Sequence, residues 1–209
     1  MPTENGMKSA RLVNAAWNVR SADYIGLQNR DEYNSAANHA RDLILSAWHL
    51  LKQGYHAPSC FLAITAFEEI AKVRAGHARS WGNEVDDVKR GKDLLFRHSE
   101  KHKIAVDPIL LIGNRLANTI GKSRVDSIFD GYADGSLSSL REQSLYFSRD
   151  SVKLKLPAME ISRRDTMEHI LIAIEMFDDY FDFMTAELSV SCDQLNEVFD
   201  KIAAMYNAR

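Results

Sequence analysis

Apolar residues recur every three to four positions along most of this 209-residue chain, and only four prolines and ten glycines interrupt them. That period marks one face of an α-helix, and strand-like alternation is confined to Val152, Leu154 and Leu156. The expected fold is therefore all-α, a helical bundle with one irregular loop insertion. Ala10, Val13, Trp17 and Tyr24 predict an amphipathic first helix ending near Gly26. Ala36, Ala40, Leu43, Ala47, Leu50 and Leu51 predict a second over about 32–53, stopped by Gly54. A third starts near Ala57 and runs to about Arg79, with Pro58 in its first turn, where a missing N–H costs nothing. From Ser59 to Phe67 it is apolar nearly all round, which predicts the most buried helix. The short Gly54-Tyr55-His56 connection makes the second and third helices an antiparallel hairpin.

Further on, Asn83 is expected to cap a helix reaching Phe96, with Val85, Val88 and Leu95 inward. Asp107-Pro108 is expected to open another that ends at Gly121. Residues 122–158 read as loop, on Gly131, Gly135 and neighbouring serines, with a short extended piece at 151–156. Ser162 with Asp165 resembles a capping box ahead of a helix striped by Met167, Ile170, Leu171, Ile174, Phe177, Phe181 and Met184. A last helix over about 192–206 carries Leu195, Val198, Phe199, Ile202 and Met205. Residues 1–30 read as a helical extension, and 31–209 as one compact helical domain.

Composition narrows the function. A net charge of −3 excludes a general nucleic-acid coat protein but leaves room for a local basic site. Two cysteines without a CxxC fit a reducing compartment. The first residues are polar, and no apolar run approaches the roughly 20 residues of a membrane span. The expectation is a cytoplasmic protein with no membrane partner. No phosphate-binding or nucleophile-elbow motif is present, so no cofactor is expected. His98 and His102 could offer two nitrogens to a metal, but nothing nearby completes a tetrahedral set, so no metal is expected either.

Three segments carry a family resemblance. Gly54-Tyr55-His56-Ala57 is followed by Leu62-Ala63 and by Ala66-Phe67-Glu68-Glu69-Ile70-Ala71-Lys72. Phe96-Arg97-His98-Ser99-Glu100-Lys101 comes next, and then Arg141-Glu142-Gln143-Ser144-Leu145-Tyr146. In this order, over about Ala36 to Leu171, they resemble the AbiV family of bacterial abortive-infection proteins. Ala71 stands where that family often has glycine, Ser46 where it often has an acidic residue, and residues 1–30 do not map onto it. The resemblance implies a HEPN-like helical bundle and a role in phage defence, with translation as one target. Many HEPN-like proteins are dimeric, metal-independent endoribonucleases that use an Arg-x(4–6)-His motif. A homodimer, an RNA substrate and a phage-encoded trigger protein are the partners it implies.

Arg97 to His102 fits that motif. Metal-free RNA cleavage needs a group near pH 7 to move protons and a fixed cation on the phosphoryl oxygens, roles suited to histidine and arginine. The expectation assigns His102 to proton transfer and Arg97 to phosphate, with His98 or Lys101 orienting or binding backbone, and Lys101 and Lys103 as RNA contacts. Positions five apart lie about 140° apart on a helix, so Arg97 and His102 converge only if the segment is irregular or a second copy completes the site. The last helix offers Leu195, Phe199 and Ile202 as a stripe that could face a twin. Arg164 to His169 fits the same pattern and is a second candidate. Basic residues also favour helix ends for electrostatic reasons alone.

Glu68, Glu69 and Lys72 read as a structural polar network. Glu68 and Lys72 have the i, i+4 spacing of an ion pair. Glu69, on the Leu62–Ala66–Val73 stripe, is the carboxylate expected to be buried, with Arg41 as a possible partner. The alternative to an RNA-cleaving effector is a non-catalytic helical module that sequesters a phage protein or a translation component.

Overall fold

The computed structural model describes residues 13–81, 86–105 and 114–208. Its long helices are α1 (Arg30–Lys52), α2 (His56–Trp81), α8 (Arg163–Phe181) and α9 (Ala186–Asn207). Shorter ones are α3 (His98–Ala105), α4 (Arg115–Ile120), α5 (Lys122–Asp134), α6 (Ser136–Leu145) and α7 (Pro157–Glu160). Two ribbons accompany them. Val19–Arg20 (β1) pairs in parallel with Asp86–Asp87 (β2). Ser148–Arg149 (β3) pairs antiparallel with Leu154–Lys155 (β4).

The α1–α2 hairpin forms as its turn chemistry requires. Asn29 caps α1 by accepting from the Glu32 amide at 2.9 Å, while the Glu32 carboxylate accepts from the Gln28 amide. At the other end Gly54 adopts φ +82°, and the Tyr55 and Gly54 amides return to the Leu50 and Leu51 carbonyls. This is a Schellman stop, and a side chain at Gly54 would be strained there. The Ser59 hydroxyl then donates to the Ala47 carbonyl at 2.6 Å, tying the start of α2 to α1.

The core runs between α1, α2, α8 and α9, with Ile44, Ile64, Phe67, Ile70, Ile170, Phe177, Phe181 and Leu195 fully buried. Burying a side chain of this size contributes roughly 1.5–3 kcal/mol, so this apolar contact is the main driving force for the bundle. The expectation that α2 is the most buried helix is too narrow, because α8 is buried without a break from Thr166 to Phe177. Leu195, Phe199 and Ile202 pack into this core against α8 and α1. They are not available to face a second copy.

Several expected boundaries are corrected. The first helical stretch ends at residue 17, and residues 19–24 make β1 and a bridged turn that closes at Tyr24, not a continued helix. The expected helix to Phe96 is instead β2 followed by single 3-10 turns at Arg90–Lys92 and Leu94–Phe96. Asn83, Val85, Asp107 and Pro108 lie outside the described residues. The expected loop over 122–158 is mostly helix. Gly135, at φ +94°, ends α5 and begins α6, so the glycine joins two helices where the sequence suggested none. Capped by Thr185, α9 begins at Ala186, six residues before the expected start near Cys192, and Met184 lies past the end of α8 with half its surface exposed. The Ser162 cap forms as expected, accepting from the Asp165 amide at 3.1 Å.

One polar contact fixes the non-helical parts. Arg79, near the end of α2, forms a two-point ion pair with Asp93 at 2.8 and 3.0 Å, and neither side chain is exposed to solvent. The same guanidinium donates to the carbonyls of Ala16 and Tyr24, while Ser21 and the Leu95 amide donate to Asp93. The N-terminal segment and the 3-10 turns are thereby pinned to α2. This sets where α3 begins, and α3 carries the residues described next.

Candidate functional site: a cationic cluster on a buried carboxylate

Glu68 lies on the α2 stripe of Ile64, Ala71 and Ala75, all fully buried, and is itself only 2% exposed. A lone carboxylate there would be strongly unfavourable. Four basic side chains meet it. From α3, His98 Nδ1 lies 2.8 Å from Oε2, Lys101 Nζ 2.6 Å from Oε2, and His102 Nε2 2.9 Å from Oε1. These residues sit at i, i+3 and i+4, one face of one helix. From α6, Arg141 Nε lies 3.0 Å from Oε1, off the hydrogen-bond axis, with its guanidinium over the Phe61 ring. Burial alone would raise the Glu68 carboxyl. Hydrogen bonds from His102, Lys101 and His98, with the Lys101 charge, outweigh it and hold the group down at about 2.

Access differs sharply within the cluster. His102 is 0% exposed, and its second nitrogen meets the Ser138 hydroxyl of α6 at 3.2 Å. Both of its ring nitrogens are committed, so it cannot reach a substrate in this arrangement. His98 is the opposite case. Its side chain is 54% exposed, and Nδ1 donates to Glu68, which leaves Nε2 as the outward acceptor. A histidine oriented from behind by a carboxylate is the arrangement of a general base. Lys101 and Arg141 carry two fixed positive charges against one carboxylate, so the cluster stays net cationic whatever the histidines do.

The expected Arg97–His102 pairing is not made within this chain. Arg97 is exposed and turns back along the chain to donate to the Gly91 carbonyl at 2.7 Å. Its own carbonyl accepts from the Glu100 and Lys101 amides, so it helps start α3. Lys101 is buried on Glu68 rather than held on the surface, and the Lys103 side chain lies outside the described residues. Arg164 and His169 also diverge. Arg164 stacks on Tyr206 and reaches Glu168, whereas His169 is buried, with Nδ1 on the Asp165 carbonyl at 2.7 Å. Burial pushes the His169 imidazole below its ordinary range.

The polar network on α2 is also rearranged. Glu68, not Glu69, is the buried carboxylate. Lys72 pairs with Glu69 at 2.7 Å instead of with Glu68, and Arg41 pairs with Asp42 and Ser191. The sequence placed neither Arg141 nor Ser138 in a site. The available signal was that the three segments carrying the family resemblance each supply a member: Glu68, then His98 and Lys101, then Arg141. Among the described residues, no group of three His, Cys, Asp or Glu side chains is placed to hold a metal. No helix among them is long and apolar enough to cross a membrane.

The molecule is thus an all-α, HEPN-like bundle that gathers cations from two helices onto a carboxylate of a third. The AbiV family profile matches residues 28–177. The chain belongs to the AbiV family, a HEPN-like family of abortive-infection defence proteins. No curated protein and no solved structure was found to match it.

Proposed function

We propose that this protein is an abortive-infection effector that cleaves RNA without a metal, with His98 as the proton-transfer group. The observation that carries this reading is the exposed His98 imidazole, oriented by buried Glu68 inside a cluster of net positive charge. In the step, His98 Nε2 takes the proton of a ribose 2′-hydroxyl. The 2′ oxygen bonds to the adjacent phosphorus and the bond from phosphorus to the 5′ oxygen breaks, leaving a 2′,3′-cyclic phosphate and a 5′-hydroxyl. A second proton donor must protonate the departing oxygen, and the His98 of a second copy across a two-fold axis would serve. The net positive charge that Lys101 and Arg141 leave behind His98 favours charge developing on the phosphoryl oxygens. The assay is cleavage of total cellular RNA by purified protein, alone and with lysate of phage-infected cells, alongside plaque counts. Wild type should yield cyclic-phosphate ends, and His98→Gln should abolish both cleavage and protection.

A second reading has its own support. Tyr146, Phe147, Val152 and Met159 expose most of their surfaces on and beside the β3–β4 ribbon, an apolar patch suited to capturing a protein. If folded His98→Gln still protects cells from phage, this non-catalytic reading replaces the first.

A further inference from the structure

Helix α6 has two working faces. One supplies Ser138 and Arg141 to the Glu68 cluster. The other walls a cavity of about 380 Å³ between α5, α6 and α8. Ser127, Tyr132, Gln143 and His169 are among its polar lining, beside the charged Arg124 and Asp165, and Ile128 and Leu140 are among its apolar walls. Tyr132 is 2% exposed, and its hydroxyl finds no hydrogen-bond partner among the described residues. Buried hydroxyls are rarely left unpaired, so this one is an unmet donor and acceptor beside a space that can hold a ligand. His169 adds an acceptor. Its Nδ1 proton goes to the Asp165 carbonyl, which leaves Nε2 with a lone pair.

The charges at the cavity are already balanced. Arg124 lies 2.6 Å from Glu168 and 3.4 Å from Asp165, and Arg164 lies 3.4 Å from Glu168, two cations against two carboxylates, so the site holds no spare charge for an anion. A ligand matching it is uncharged at the part that enters, carries both donors and acceptors on its edge, and presents a flat apolar face to Ile128 and Leu140. A nucleobase has that chemistry. The cavity and the cluster lie on two sides of one helix, about 10–12 Å across with its side chains, a separation that one bound strand can bridge.

We propose that this cavity receives one base of the RNA strand whose backbone is cut at His98, with Tyr132 and Gln143 reading the base edge. The proposal rests on the RNA-cleavage reading for its context, but its test does not. Full-length protein is titrated separately with adenosine, guanosine, cytidine and uridine, followed by calorimetry and by ligand-observed magnetic resonance. One nucleoside should bind with one-to-one stoichiometry and be preferred over the other three. Tyr132→Phe should weaken that binding about three- to tenfold, the worth of one hydrogen bond. Because the variant loses an unpaired buried hydroxyl, its thermal midpoint should stay level or rise, which separates lost recognition from lost folding. Gln143→Ala, at an exposed position, gives a second variant that should weaken binding without unfolding. Absence of binding by all four nucleosides at millimolar concentration overturns the proposal, as does binding that neither substitution weakens. If a nucleoside binds as expected but the protein cuts no RNA, the subsite stands and the cleavage reading fails.

Discussion

Asp93 and Glu68 are both buried carboxylates facing cations, but the surroundings of the first are closed and those of the second are open. Asp93 meets one guanidinium, charge for charge, and the spare donors of Arg79 go to backbone carbonyls. Nothing there faces solvent, so the pair can only hold segments together. Glu68 meets more positive charge than it can neutralise, and one of its partners, His98, lies half outside. An excess of fixed positive charge with one exposed titratable group costs stability and suits an incoming anion. The balanced pair is architecture, and on the proposed reading the unbalanced cluster is where the chemistry lies.

Four substitutions test that contrast. Arg79→Ala should be the most damaging, at about 4–5 kcal/mol, because Asp93 is left charged and buried while the Ala16 and Tyr24 carbonyls lose their donor. Urea unfolding should show it, and a loss under about 1 kcal/mol would mean that the pair staples nothing. Glu68→Gln should cost about 3 kcal/mol and also abolish RNA cleavage. The sign follows from its carboxyl, held at about 2 against an ordinary 4.5. That contribution is complete above the ordinary value and drains away as pH falls from there toward 2. Wild type should lose stability over this window, and Glu68→Gln should lose markedly less. Asp93, also held low despite its burial by Arg79 and the Leu95 amide, should keep contributing acid sensitivity in both proteins. His98→Gln should change stability by no more than about 0.5 kcal/mol yet reduce cleavage by a factor of roughly 10² to 10⁴. Large destabilisation there would class His98 with Asp93 as architecture. Arg97→Ala should move cleavage and stability least, since this exposed side chain only reaches the Gly91 carbonyl. Strong loss of cleavage in that variant would return Arg97 to the site.

The long helices were legible because each carries a complete apolar stripe between recognisable stops, as Asn29 to Gly54 shows for α1. Helices α5 and α6 were not, because Gly131, Gly135 and clustered serines have the composition of a loop. At Gly131 the absent side chain leaves room for the Ser136 hydroxyl, which donates to the Gly131 carbonyl at 2.6 Å. In the site, the residue types were legible and their pairing was not. A histidine at i+4 from another looks the same in sequence whether it is half outside or enclosed; both meet Glu68, and only their own exposure, 54% against 0%, separates His98 from His102. Glu69 was mistaken for the buried carboxylate because adjacent helix positions differ by about 100°, and a stripe can be drawn through either.

The Glu68 cluster also has a history within each round of synthesis. Its α3 donors lie 30 to 34 residues beyond Glu68, and Arg141 lies on a helix later still. A ribosome delivers these segments in order, and contacts between distant segments must wait for the last of them. The carboxylate thus emerges first and spends much of translation without its full set of partners. A nascent chain that has not yet passed Arg141 lacks one member of the cluster, so the full set of partners cannot close on Glu68 before α6 has been made.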